Sequence, residues 1–194
     1  MKGRNEVSFY PEIMAYVKEI IESNFRAAKN PLKVYCKSGE LRKGLHQIIS
    51  ENGIRTKSII DFASSTPPLS LDIFALITDG KKYELLIMEI KLVKAMGLSE
   101  LSQLIGYCIV SNAQYGLLIN VDNGVSPRLQ DLLVNEKNVT DIVRNVQTRN
   151  AMSTVEHCLG VMEWDSVTKS LNYTGHGKIR TMSELCKMLA ARFE

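Results

Sequence analysis

The most constraining feature of this sequence is a pair of long apolar runs, Leu69 to Thr78 and Tyr83 to Leu92, set around Asp79-Gly80. Each has the length and composition of a strand, and together they predict a hairpin. The second run is apolar on both faces apart from Glu84, Glu89 and Lys91, and the first apart from Ser70, Asp72 and its terminal Thr78. Charge inside a central strand is rare unless it is paired or holds an ion, because taking an isolated charge out of water is costly. Side chains alternate along a strand and the loop sets the register, so the turn fixes how these charges sit. With Gly80 and Lys81 at the tip, Asp72 lies opposite Glu89, their Cβ atoms about 5 Å apart. With Asp79 and Gly80 at the tip, Asp72 faces Ile87 and is diagonal to Glu89. In either register Asp72, Glu89 and Lys91 share one face.

Two carboxylates and an ammonium at that separation suit a hard divalent cation. Magnesium takes oxygen ligands in an octahedron and keeps several waters. An ion there can activate water toward phosphorus, while the ion and a lysine stabilise charge developing on phosphate oxygens. The alternative is a buried ion pair of Lys91 with one carboxylate, which leaves the other uncompensated.

The flanking sequence supplies helices. Ile13, Val17, Ile20 and Ile21 recur at helical period over Glu12 to Phe25, until Asn30-Pro31 breaks the pattern. A second helix is expected from Ser38, which can cap it, through Leu41, Leu45 and Ile48 to Asn52-Gly53. Ile54 to Ile60 is rich in β-branched residues and predicts a strand; Leu98 to Asn112 predicts a helix and Tyr115 to Val121 a short buried strand. The order from Ser38 is then helix, three strands, helix, strand. Beyond Asp122 the pattern gives a helix over Ser126 to Val134, another over Val139 to Val146, and a polar stretch from Arg149 to Ser153. A hairpin of Val155 to Trp164 with Thr168 to Tyr173 follows, then a terminal helix over Met182 to Phe193.

With 194 residues, 45% hydrophobic and 23% charged, one core can be buried without disulfide or metal staples. The expected organisation is a single domain over 1–194, with a core at about 38–122, an N-terminal helix within 1–37 and a C-terminal elaboration over 123–194. No apolar run reaches the roughly 18 residues of a membrane span, and Met1 to Tyr10 lacks a signal-peptide core, so a cytoplasmic protein is expected. Cys36, Cys108, Cys158 and Cys186 are scattered, which argues against zinc ribbons and against an iron–sulfur cluster. They read as small thiols in a reducing compartment. His46, His157 and His176 share no metal-ligand spacing. Without a GxxxxGK loop no nucleotide cofactor is expected; Gly175-His176-Gly177-Lys178 lacks that loop's first glycine and flanking strand. Trp164 and Tyr173 could stack a base but suit packing across a hairpin at least as well. The net charge is only +3, yet Arg26 to Lys57 holds eight cations against Glu40 and Glu51. On charge alone that excess fits a solvated face better than a surface for a polyanion.

Asp72, a gap of sixteen residues, then Glu89-Ile90-Lys91 at a strand end resembles the PD-(D/E)XK phosphodiesterases. This superfamily includes many restriction enzymes, recombination nucleases and junction resolvases. Its core is helix, three-stranded meander, helix, strand. The resemblance implies a restriction-endonuclease-like αβββαβ core in an α/β fold, a central mixed sheet flanked by helices. It also implies that Asp72 and Glu89 hold the metal, that the Ile90 carbonyl can add a ligand, and that Lys91 orients the attacking water. Glu40 matches the acidic residue that many members place beside the site. Gln103 and Tyr107, at i and i+4 on the following helix, resemble the Gln-xxx-Tyr motif of RecB-like nucleases. Leu71 stands where the family's motif has proline, although Pro67 and Pro68 lie just upstream.

The implied activity is hydrolysis of DNA by a magnesium-dependent nuclease, with manganese able to substitute. Gln103 and Tyr107 would position the substrate backbone, and Lys37, Arg42 and Lys43 would contact phosphates. Cutting both strands calls for two active sites, which a homodimer would supply. The competing class is an inert nuclease-like subunit that binds DNA or serves assembly. No residue identifies a reader of the RNA 2′-hydroxyl, so RNA stays open as substrate.

Overall fold

The computed structural model describes residues 5–147, 152–172 and 175–194. Tyr173 and most of the Arg149 to Ser153 stretch lie outside them. A 3-10 turn, Glu6–Phe9, leads into α1 (Tyr10–Asn24), which is followed by β1 (Lys33–Glu40), α2 (Leu41–Glu51) and α3 (Lys57–Ser65). The hairpin is β2 (Ser70–Thr78) and β3 (Tyr83–Lys91); α4 (Leu98–Ser111), β4 (Tyr115–Val121) and α5 (Pro127–Asn135) come next. A turn at Lys137–Val139 precedes β5 (Asp141–Gln147), β6 (Met152–Asp165), the short β7 (Ser170–Leu171) and β8 (His176–Gly177), and α6 (Met182–Phe193). Among the described residues, six α-helices cover a mixed, open sheet of order β1-β2-β3-β4-β6-β5, with β7 and β8 paired to β6.

The central strands β2, β3 and β4 are buried on both faces over most of their length, which explains the continuous apolar runs. Ile73, Ala75 and Ile77 of β2 and Leu86, Met88 and Ile90 of β3 pack with Ile13, Val17 and Ile21 of α1 and with Leu185 and Leu189 of α6. Phe74, Leu76, Leu85 and Ile87 point the other way, into Leu45 of α2, Ile59 of α3, Leu104 of α4 and Leu129 of α5. β1, β2 and β3 form an antiparallel meander; β4 then lies parallel to β3, and β6 parallel to β4. No helix among the described residues is long and apolar enough to cross a membrane.

Three expectations fail here. The helix placed from Ser38 begins at Leu41, and the residues before it form β1, whose bulge between Lys37 and Gly39 uses the positive φ of Gly39. The strand expected at Ile54 to Ile60 is occupied by α3, because Ile59 and Ala63, one turn apart, face the core. The helix expected at Val139 to Val146 is the edge strand β5, where Ile142, Val143 and Val146 follow β-branched propensity. From α2 to β4 the order is helix, helix, strand, strand, helix, strand, and the third strand of the antiparallel meander is β1, which precedes α2. The C-terminal hairpin is present as β6 with β7 pairing Trp164 to Leu171, but most of β6 joins the main sheet beside β4. Trp164 meets Tyr16 of α1 edge to face at 5.5 Å.

One charge buried in this fold has no full compensation. Glu84 of β3 sits 3.7 Å from Nε of Arg192 through Oε1, while Oε2 is buried without a hydrogen-bond partner among the described residues. Burial lifts this carboxyl to about 7, against the opposing pull of Arg192. A carboxyl raised on folding supports the folded state at low pH and withdraws that support as pH climbs through its folded value. Between about pH 5 and pH 8 this carboxyl should withdraw on the order of 2 kcal/mol of support, several degrees in Tm. Glu84→Gln is expected to melt with the native chain at the lower pH and several degrees above it at the higher one, as thermal unfolding will measure.

Candidate active site

The hairpin tip sets the geometry. Asp79 Oδ1 accepts from the N–H groups of Lys81 (2.8 Å) and Lys82 (2.7 Å), and Gly80 takes a positive φ, closing a four-residue loop between the paired Thr78 and Tyr83. The register that follows is the one expected with Gly80 and Lys81 at the tip. It runs through Phe74↔Ile87 to Ile73↔Met88, where the ladder between β2 and β3 ends. At that fork the Asp72 carboxylate takes over from the backbone, and its Oδ2 accepts from Ile90 N–H at 2.9 Å. The side chain of Asp72 thus reaches into the Glu89-Ile90-Lys91 segment itself.

Glu89 is only 2% exposed, although it carries a carboxylate. Lys91, two residues on and therefore on the same face, donates to Glu89 Oε1 at 2.7 Å. Burial raises the Glu89 carboxyl above its ordinary value; the bond to Lys91 opposes this, and the nearby charges of Asp72 and Glu6 add to it. Burial also works against the Lys91 ammonium, but its bond to Glu89 and the field of all three carboxylates hold it above its ordinary value. Lys91 therefore stays charged. It reaches on to Gln103 Oε1 at 3.4 Å, and Gln103 Nε2 donates to the Tyr107 hydroxyl at 3.0 Å. Leu101, Leu104 and Cys108 bury one stripe of α4, which leaves Gln103 and Tyr107 beside Lys91.

The turn before α1 closes the fork from the other side. The Tyr10 hydroxyl donates to Asp72 Oδ1 at 2.6 Å, and Glu6 Oε1 accepts from Leu92 N–H at 3.2 Å. Burial first, then the bond to Asp72, push the Tyr10 hydroxyl far above its ordinary value, so it remains a donor. On β4, Asn120 is fully buried; its Oδ1 accepts from Val93 N–H (3.2 Å) and its Nδ2 donates to the Val93 (2.9 Å) and Gly124 (3.0 Å) carbonyls. It pins the chain as that chain leaves Lys91.

The structure thus brings Asp72, Glu89, Ile90, Lys91, Gln103 and Tyr107 together, and adds Glu6, Tyr10 and Asn120, which the sequence reading missed. Asn120 had a signal, as a polar residue in an otherwise apolar strand. Glu6 and Tyr10 had none. Glu40 departs from expectation: it ends β1 instead of lying on a helix, pairs with Ser70, and turns its carboxylate onto the N-terminus of α2, accepting from Lys43 N–H at 3.3 Å. Of the three expected phosphate contacts, Lys37 is paired with Glu51 at 3.0 Å and Arg42 donates to the Thr66 carbonyl at 2.6 Å, while Lys43 is exposed.

Other candidates resolve into structure. His157 is buried between the Ala113 carbonyl, 2.6 Å from Nδ1, and Arg144, whose Nε donates to its Nε2 at 2.9 Å. Lys178 and Arg180, which line a cavity of about 540 Å³ with His176, pair with Asp141 and Glu184. The ligand atoms of Asp141, Glu156 and Cys158 lie within 4.8 Å of one another. There Lys178 already neutralises Asp141, and burial pushes the Cys158 thiol up to about 12. All four cysteines are free thiols, three of them buried.

The Glu89–Lys91 pair is testable apart from any function. Removing one partner of a buried pair typically costs about 3 kcal/mol or more, because the other charge is left uncompensated. In metal-free buffer near pH 8, Lys91→Met should lose stability on that order, and adding Glu89→Gln to the same chain should restore most of it, as urea unfolding of the two variants will show. No protein-family model matches this chain, and no curated protein matches it.

Proposed function

We propose that this chain is a magnesium-dependent endonuclease of the PD-(D/E)XK type that hydrolyses DNA phosphodiester bonds. One observation carries the reading: Asp72, Glu89 and Lys91 converge where β2 and β3 part, with Glu6 close enough for its charge to act on both Glu89 and Lys91. Three carboxylates against one ammonium leave the site with excess negative charge. Hard oxygen donors in that balance suit a divalent cation. Asp72 and Glu89 would hold it, since a carboxylate offers about four lone-pair positions and only some are occupied here. The Ile90 carbonyl leaves β3 on the same edge as its N–H, which is the edge Asp72 occupies. When bound, the ion withdraws charge from phosphate oxygens and eases deprotonation of water.

The chain's own residues have separate tasks. Lys91, steadied between Glu89 and Gln103, directs its ammonium donors toward water and the phosphate oxygens. Gln103 and Tyr107 position the sugar–phosphate backbone from α4, and Lys43 offers an exposed phosphate contact. In hydrolysis a water oxygen bonds to phosphorus, the bond to the leaving ester oxygen breaks, and that oxygen takes up a proton. Glu6, in the turn entering the first helix, supplies the acidic neighbour that the resemblance assigned to Glu40. The order from α1 to β4, with an antiparallel meander and β4 parallel to β3, supports the same family core. A homodimer would furnish the two sites that double-strand cutting requires.

The test is cleavage of circular single-stranded, supercoiled and branched DNA with magnesium or manganese. The native chain should nick circular DNA only when metal is present, and Asp72→Asn and Lys91→Ala should each lower the rate at least ~100-fold. Failure to cut any of these substrates, with DNA binding unchanged in both variants, would replace this reading with that of an inert binding subunit.

A further inference from the structure

Tyr10 has two ends in different environments. Its ring belongs to the core between α1 and the sheet, where the residue is 8% exposed beside Ile13 and Val17. Only its hydroxyl leaves that core, and it ends 2.6 Å from Asp72 Oδ1, across 62 residues of chain. Core packing requires a ring of that size but not the hydroxyl. Pro11 in the first turn of α1 and the Asn5 cap on Ser8 N–H hold the turn that delivers it, and Glu6 ties the same turn to Leu92 N–H. The other oxygen of Asp72 is held by Ile90 N–H at 2.9 Å. With one donor on each oxygen, the carboxylate is held against rotation about its own axis, while each oxygen keeps a lone pair for another partner.

We propose that Tyr10 is a positioning residue that fixes Asp72 in the orientation needed to receive a divalent cation. This rests on the metal-site reading of Asp72 and Glu89. A ligand already held in its binding orientation does not lose that freedom when the cation arrives, and removing such an outer partner typically weakens metal affinity ~10–100-fold. Water at the half-buried Asp72 replaces the lost hydrogen bond without fixing direction, so the loss falls on affinity and not on folding.

Tyr10→Phe keeps the ring and deletes the hydroxyl. Binding of Mn2+ to the full-length protein, followed by electron paramagnetic resonance of the free ion, should weaken at least ~10-fold in this variant, with the thermal transition close to native. Raising Mn2+ should restore DNA cleavage toward the native maximal rate, separating a defect in metal capture from one in chemistry. Ile13→Val perturbs the same helix without reaching the site, and should leave Mn2+ affinity within about twofold of native, which separates loss of the hydroxyl from general loosening of α1. Unchanged Mn2+ affinity in Tyr10→Phe, or equal weakening in Ile13→Val, overturns the positioning role while the metal site stands. If the native chain and Asp72→Asn bind Mn2+ equally, or neither binds it, the metal-site reading falls and the role of Tyr10 falls with it.

Discussion

The arrangement depends on a carboxylate held out of water. Glu89 lies on a strand whose neighbours Ile87, Met88 and Ile90 are fully buried, and Lys91 is the cation in hydrogen-bond contact with it. Desolvation of the two charges is offset only because they meet at 2.7 Å with a further acceptor, Gln103, behind the ammonium. A strand built for packing alone would carry an apolar residue at position 89 at lower cost. Retaining the pair, with the charges of Asp72 and Glu6 opposing that of Glu89, adds a local cost at this carboxylate. Such a conflict between local stability and global fold is expected where function is served.

The surrounding elements then act as restraints on this cluster. The hairpin loop sets the register, α4 supplies the chain from Lys91 through Gln103 to Tyr107, and Asn120 clamps Val93. From the opposite face, Tyr10 at the start of α1 donates to Asp72 of β2, and Glu6 of the preceding turn accepts from Leu92, just past β3. Three separate segments thus converge on two strand ends, while the loop at the far end of the hairpin sets their register.

What the sequence disclosed, and what it withheld, follows from the range of each interaction. Asp72, Glu89 and Lys91 were legible because charge inside an apolar strand violates a local pattern. Gln103 and Tyr107 were legible because one helical turn links them. Glu6 and Tyr10 were not, since their partners lie 86 and 62 residues away and the polar start of an amphipathic helix looks alike whether or not it serves a site. β1 was hidden because Lys33, Lys37, Ser38 and Glu40 dilute its alternation, and only pairing with β2 makes it a strand. α3 inverted the local preference of Ile59 and Ile60, as packing of Ile59 and Ala63 outweighs a propensity worth tenths of a kilocalorie per residue.

The position of the site follows from where the sheet changes direction. β2 and β3 are antiparallel, whereas β3 and β4 are parallel and joined by the α4 crossover. At the carboxyl end of β3 one edge is held by β4, through Ile90↔Ile119 and Lys91↔Asn120, while the other edge has lost its ladder to β2 beyond Ile73. An N–H exposed at such a fork must find a partner, and the Asp72 carboxylate fills the gap for Ile90. The same break admits the Tyr10 hydroxyl. β6, parallel to β4 and paired with it from Tyr115↔Cys158 to Val121↔Trp164, keeps β4 an interior strand. The C-terminal region thereby keeps the β3–β4 edge paired, so that the sheet parts on the β2 side, at Asp72.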